Sequence, residues 1–296
     1  MTAEAPATKG QRALPFLALI AGACAIGFVP NLVRLAATGP AAAGFWRMLL
    51  SLPILLPMML RDGRGLGLKP STASLMAGLF FAGDLAFWHY GIRYTSVANA
   101  TVLANLSPVV VTAVAWFVFR ERPGRIFLVG LALALAGAWT MAAGAATGEA
   151  VAPLLGDILS LTTAAWYALY FIAMRRARQG EGASRAMFWS SLATAPVMLV
   201  VALAMGEPIL PGSMGGWWAC IGLAIAHVAG QGSIAWALGR LPASIASVVV
   251  LAQPVVAAIV AWFLFREALT GVQMLGGALT LAGVVIAQRS AVQRAQ

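Results

Sequence analysis

Residues 98–137 read ANATVLANLSPVVVTAVAWFVFRERPGRIFLVGLALALAG, and 146 positions later residues 244–283 read SIASVVVLAQPVVAAIVAWFLFREALTGVQMLGGALTLAG. The two align without a gap. Pro108-Val109-Val110 falls on Pro254-Val255-Val256, and Ala115-Trp116-Phe117 on Ala261-Trp262-Phe263. Phe119-Arg120-Glu121 falls on Phe265-Arg266-Glu267, and Gly130 and Gly137 on Gly276 and Gly283. Apolar helices share Leu and Ala by composition alone. A proline, a tryptophan, an Arg-Glu pair and two glycines in register make this an internal repeat.

Outward from the repeat, the chain is a series of apolar runs, approximately 14–35, 41–60, 72–92, 97–119, 126–145, 154–174, 186–205, 217–238, 243–265 and 272–287. Each is bounded by charge, Gly or Pro, as helix ends usually are. Each also has roughly the 20 residues that a bilayer span requires. Composition agrees: 61% of the 296 residues are hydrophobic and 9% are charged, where a soluble domain carries about 25% charged residues. The expected fold is all-α and polytopic, with ten transmembrane helices and no room for a soluble domain. The first run follows Lys9 and Arg12 as a signal peptide would, but it is longer than the ~7–15-residue core of one. It reads as an uncleaved span.

An offset of 146 residues covers five spans, an odd number, so the second copy enters the membrane from the opposite side. The expected organisation is a tail at 1–13, a first five-helix repeat at 14–145, a linker at 146–153, a second repeat at 154–288 and a tail at 289–296. Inverted repeats of this kind build many secondary transporters, which bind substrate near the midplane where the halves meet. With both termini in the cytoplasm, fifteen of the nineteen Lys and Arg residues fall on the inner side and three (Arg34, Arg93 and Arg266) on the outer, while Arg47 lies within the second span. That bias is the positive-inside rule, and it predicts a multi-pass membrane protein with both termini on the inner side; the expected location is the bacterial inner membrane. It also accounts for the net charge of +10: the cations are spread between spans rather than gathered in the patch that nucleic-acid binding needs.

At the repeated residues the sequence resembles a known family. Tyr94-Thr95-Ser96-Val97-Ala98, Leu106-Ser107-Pro108-Val109, Phe119-Arg120-Glu121 and Gly130…Leu135-Ala136-Gly137 look like the signature of EamA-type members of the drug/metabolite transporter superfamily. Leu241-Pro242-Ala243-Ser244, Gln253-Pro254-Val255 and Arg266-Glu267 repeat it, and Arg47 also matches a residue often found there. The resemblance implies ten helices, an inverted repeat and export of small metabolites. In its aromatic residues the chain is similar to the YddG-type exporters of aromatic amino acids.

Polar residues within spans are costly and mark cavities or helix partners. The third span carries Asp84, Trp88 and His89; the fourth carries Thr101, Asn105, Pro108 and Thr112 along one helical face. The sixth carries Thr163, Trp166, Tyr167, Tyr170 and Met174, the eighth His227 and Gln231, and the ninth Ser247, Gln253 and Pro254. The candidate substrate-binding residues are therefore Asp84, Trp88, His89, Thr101, Asn105, Trp166, Tyr167, Tyr170, His227, Gln231, Ser247 and Gln253. Pro108 and Pro254 each remove a helix hydrogen bond at equivalent places, and are the candidate hinges. Asp84 either pairs with Arg47 or contacts substrate. A lasting pair would leave Asp84 unable to carry a proton, which points to uncoupled transport.

Other chemistries lack their residues. Gly63-Arg64-Gly65-Leu66-Gly67 has no Gly-Lys-Ser/Thr ending, so no ATP-driven step follows. Asp84 and His89 are five residues apart and diverge by about 140° on a helix, so they form no acid/base pair. Cys24 and Cys220 lie inside apolar runs and suggest neither a disulfide framework nor a metal site. No catalytic residue, cofactor or metal is expected. The expected function is alternating-access export of amino acids, hydrophobic or aromatic ones preferred, with small molecules and the lipid bilayer as partners and no nucleic acid. A monomer is compatible with it. The rival is a proton-coupled multidrug or organic-cation exporter, for which Asp84 is the needed acid; a non-transport membrane enzyme or scaffold is more distant.

Overall fold

A computed structural model describes residues 9–61, 69–95, 97–120, 122–144 and 152–294. Glu121, Glu149 and the glycine-rich 63–67 stretch lie outside the described residues. The described chain is helical throughout, without strands. The elements are α1 (Lys9–Gly27), α2 (Val29–Leu35), α3 (Pro40–Arg61), α4 (Thr72–Tyr94), α5 (Val97–Ala104), α6 (Ser107–Phe119) and α7 (Arg125–Ala143), followed by α8 (Pro153–Gly180), α9 (Ala183–Ala204), α10 (Met214–Ala226), a π-helical turn (His227–Gln231), α11 (Gly232–Leu238), α12 (Ala243–Val250), α13 (Gln253–Phe265) and α14 (Gly271–Arg294).

These elements form ten membrane-crossing segments, four of which are interrupted: α1–α2, α5–α6, α10–π–α11 and α12–α13. Nine stretches of the described residues are long and apolar enough to cross a bilayer by that measure. The tenth, α4, is 23 residues long but is diluted by Asp84, Trp88 and His89. In lipid such polar groups persist only when turned to a protein interior, and α4 lies between α8 and α9.

The inversion is visible in the packing. The last helices of the two halves, α7 and α14, run antiparallel in close contact. A Cβ on Gly276 would lie 2.6 Å from the carbonyl oxygen of Gly137, and one on Gly283 2.6 Å from that of Gly130. These are the same two repeat positions meeting each other crosswise, as a twofold axis in the membrane plane requires. Lipid gives helices no hydrophobic reason to associate, so small residues that let backbones touch supply the dispersion contact instead. The α3–α9 contact lies on the same axis, and the α4–α8 contact has its image where α1 and α2 pack on α10, the π turn and α11.

Interruptions also repeat. α5 stops at Ala104 and α6 starts at Ser107, with Pro108 in its first turn; 146 residues later α12 stops at Val250 and α13 starts at Gln253, with Pro254 in its first turn. The sequence suggested prolines bending continuous helices. Instead each proline opens a new helix, at a position whose N–H has no helical acceptor to lose. Both second rods end alike, on Arg120 and Arg266 in the left-handed region at φ 55° and 57°.

Candidate functional site

Between the halves lies a cavity of about 700 Å³, walled by α1–α2, α3, α4, α5–α6, α7, α8, α12–α13 and α14 together with the π turn. Its floor is set by Phe81, Ser107, Tyr167 and Ser247, and its lining reaches Arg34, Pro40 and Gln273 at the mouth. Beneath the floor, Tyr170, Phe171 and Met174 are fully buried and all eight residues of α12 are buried. At the mouth the half-exposed Arg34 and Glu267 form a 2.8 Å ion pair joining α2 to the end of α13, and the Arg34 guanidinium lies 4.1 Å from the Phe265 ring centre. Asn31 ties the same two elements deeper down, donating Nδ2–H to the Ala257 carbonyl at 3.0 Å.

Nine of the twelve binding candidates line this cavity. α4 contributes Asp84, Trp88 and His89; α5 and its break contribute Thr101 and Asn105; Tyr167, Gln231, Ser247 and Gln253 complete the set, with Pro254 beside them. Trp166, Tyr170 and His227 are not on the lining. The Trp166 indole instead covers Gly83, where a Cβ would meet its ring at 2.6 Å, and lies 6.0 and 5.8 Å from the Phe80 and Phe87 rings. Tyr170 stands one turn below Tyr167, donating to Gln231 Oε1 at 3.4 Å and packing 4.8 Å from Phe81. Pro108 is buried away from the cavity.

His227 lies just behind the wall, 2% exposed. Its Nδ1 is 3.3 Å from Arg47 Nη2 and its Nε2 is 3.0 Å from Ser191 Oγ. A guanidinium can only donate, so Nδ1 is the acceptor and the ring proton sits on Nε2, donating to Ser191. The Arg47 guanidinium is also 5.4 Å from the Phe81 ring centre. The ion pair between Arg47 and Asp84, which their depths in sequence suggested, is not among the contacts of the described residues. Asp84 has no hydrogen bond or ion pair there, and its wall position leaves the carboxyl to the chamber.

Several polar atoms of this wall find no partner within the chain: Arg47 Nε, His89 Nδ1, Asn105 Nδ2 and Gln253 Nε2. Buried polar groups are nearly always bonded, and four of the exceptions among the described residues belong to side chains of this wall. The residues sequence reading underused are Arg47, Phe81, Ser191 and Asn31. Arg47 carried its own signal, an arginine inside a span; Ser191 carried none, because serine within a helix most often bonds its own backbone.

The sequence profile of the EamA-like transporter family matches the chain twice, at residues 13–143 and 154–288. An uncharacterized transporter of Archaeoglobus fulgidus is 28% identical over 274 residues, covering 92% of this chain and 95% of that one. The uncharacterized transporter YwfM of Bacillus subtilis is 28% identical over 198 residues, 66% of each chain. A solved crystal structure with 20% identity superposes with a TM-score of 0.78, covering 95% of this chain and 99% of that one; at that identity the likeness concerns the fold. With both halves matched, the chain belongs to the EamA-like transporter family and is a multi-pass membrane transporter.

Proposed function

We propose that this transporter exports amino acids, with hydrophobic or aromatic ones preferred, across a bacterial cytoplasmic membrane by alternating access, both termini lying in the cytoplasm. One observation carries the reading: a single chamber is lined by a carboxylate, Asp84, and a guanidinium, Arg47, with Trp88, Phe81 and Tyr167 on the same walls. A zwitterion with a ring fits that set, its ammonium towards Asp84, its carboxylate towards Arg47 and its side chain against the aromatics. A cavity of 700 Å³ lies within the usual range for small-molecule pockets, about 300–1,000 Å³.

On this topology the mouth at Arg34 and Glu267 faces outside, and the chain stands open to the exterior. The paired breaks before Pro108 and Pro254 serve as the flexing points. The organic-cation alternative draws on Asp84 alone, and Arg47 in the same chamber opposes a bare cation.

Counterflow in proteoliposomes, with labelled phenylalanine inside a panel of unlabelled amino acids, amines and quaternary ammonium compounds, tests the reading. Exchange with aromatic amino acids and not with quaternary ammonium compounds is expected. The reverse pattern overturns it.

A further inference from the structure

Arg47 is the chamber's unexplained group. It is 4% exposed near mid-membrane, where an uncompensated ion costs several kcal/mol. Its direct contacts are the His227 ring, which accepts one proton from Nη2, and the face of Phe81; Asp84 of the same chamber acts on it through its charge without touching it. Its Nε has no partner in the chain, and no carboxylate within the described residues is paired with it. The guanidinium is nevertheless held firmly. Ser191 Oγ, 1% exposed on α9, accepts from His227 Nε2 in the tautomer that Arg47, a donor only, selects by facing Nδ1. This chain of contacts runs from α9 through the π turn to α3, and it holds the guanidinium in the cavity wall with no carboxylate in direct contact.

We infer that Arg47 is the carboxylate subsite of the cavity, and that His227 and Ser191 are positioning residues that preset its fork. The inference deepens the amino-acid reading proposed above and rests on it for the rest of the ligand. Its ligand class is any small anion presenting a planar carboxylate, which a guanidinium receives through two parallel N–H donors. The π turn has a reason here: inserting one residue into a helix is a common device at functional sites, and it brings His227 and Gln231 to the same interior at different depths.

The test uses the full chain in proteoliposomes. Phenylalanine counterflow is challenged with phenylalanine, with its methyl ester and with phenethylamine, the last two lacking the carboxylate. Wild type is expected to prefer phenylalanine over the ester by about ten- to a hundredfold, as for loss of a hydrogen bond to a charged group. Arg47→Gln should abolish the preference, and Arg47→Lys, which keeps the cation without the fork, should reduce it. His227→Leu should raise KM for phenylalanine with kcat unchanged and leave the ester's inhibition as it was, while His227→Gln, which still offers Arg47 an acceptor, should behave as wild type. Equal inhibition of wild type by acid and ester, or a full preference surviving in Arg47→Gln, overturns the subsite. A thermal-shift series with phenylacetate on the purified chain separates the two readings. No amino-acid exchange, but stabilisation by phenylacetate that disappears in Arg47→Gln or His227→Leu, would sink the amino-acid reading and sustain the subsite. Neither effect in wild type would sink both.

Discussion

Trp166 and Tyr167 are neighbours in sequence with opposite fates. Tyr167 faces the chamber, while the Trp166 indole closes over Gly83 between α8 and α4. Their substitutions should therefore separate cleanly. Tyr167→Ala is expected to raise KM for aromatic substrates with the melting temperature nearly unchanged. Trp166→Ala should instead lower thermal stability, approaching the 3–5 kcal/mol of a buried aromatic truncation (about the upper limit for a ring only partly buried). Substrate preference should not move. A lower melting temperature for Tyr167→Ala and altered selectivity for Trp166→Ala would reverse the two placements. Asp84 makes a second case. On the proposed reading its carboxylate receives the substrate ammonium, so Asp84→Asn should weaken phenylalanine exchange by about tenfold or more and spare N-acetylphenylalanine; equal losses for both compounds would remove Asp84 from ammonium binding. Arg47 and Asp84, whose pairing would favour uncoupled transport, share the chamber without a direct ion pair among the described residues.

At the level of elements, the stripes of small residues were readable because spacing alone exposes them, and Gly130, Gly137, Gly276 and Gly283 are where α7 and α14 touch. A side chain there must push the helices apart. Gly137→Leu is expected to abolish folding or lower the melting temperature sharply, measured on detergent-solubilised protein, whereas Gly180→Leu, with open space around its Cβ position, should be silent. The breaks were only half legible. Their prolines stand out, but each break lies inside an apolar run, with Asn105 and Ser107 in one and Gln253 in the other as its only polar residues, so hydropathy does not mark where hydrogen bonding stops. The π turn left no trace in sequence, since a π bulge is set by one extra residue in the register and not by a residue type. Because Pro108 and Pro254 occupy first-turn positions, Pro254→Ala should change stability by less than about 1 kcal/mol, far from the roughly 3 kcal/mol of an interior proline. Its effect should appear in exchange rate; a large gain in stability would show a strained interior kink instead.

For the molecule as a whole, the ten-segment plan was legible from hydropathy and the repeat, because the bilayer leaves so few ways to satisfy a backbone. Which cavity wall each side chain faces was less so, since depth along a helix is read from sequence more readily than rotation about it. Tyr170 and His227 lie one layer behind the wall for that reason. Topology is testable at exposed positions. Glu207 is a poor one: its carboxylate accepts from the Ala41 and Ala42 N–H groups at 2.9 and 3.0 Å and from the Tyr90 hydroxyl at 2.9 Å, holding the start of α3. Leu210 is 66% exposed at the same end. Leu210→Cys is expected to react with an impermeant thiol reagent from outside intact cells, and Gly180→Cys only after the inner face is opened. The opposite labelling would invert the proposed orientation.

The crosswise meeting of Gly130 with Gly283 and of Gly137 with Gly276 carries an implication about ancestry and assembly. A twofold contact between equivalent surfaces is what two copies of one chain make when they dimerise. Here the copies lie in one polypeptide, so the α7–α14 seam has the form of a homodimer interface fused end to end. Such an interface needs no covalent link to form. Residues 1–145 and 152–296, produced as two separate polypeptides, should find each other in the membrane through that seam and restore exchange, and Gly283→Leu in the second fragment should abolish the reunion.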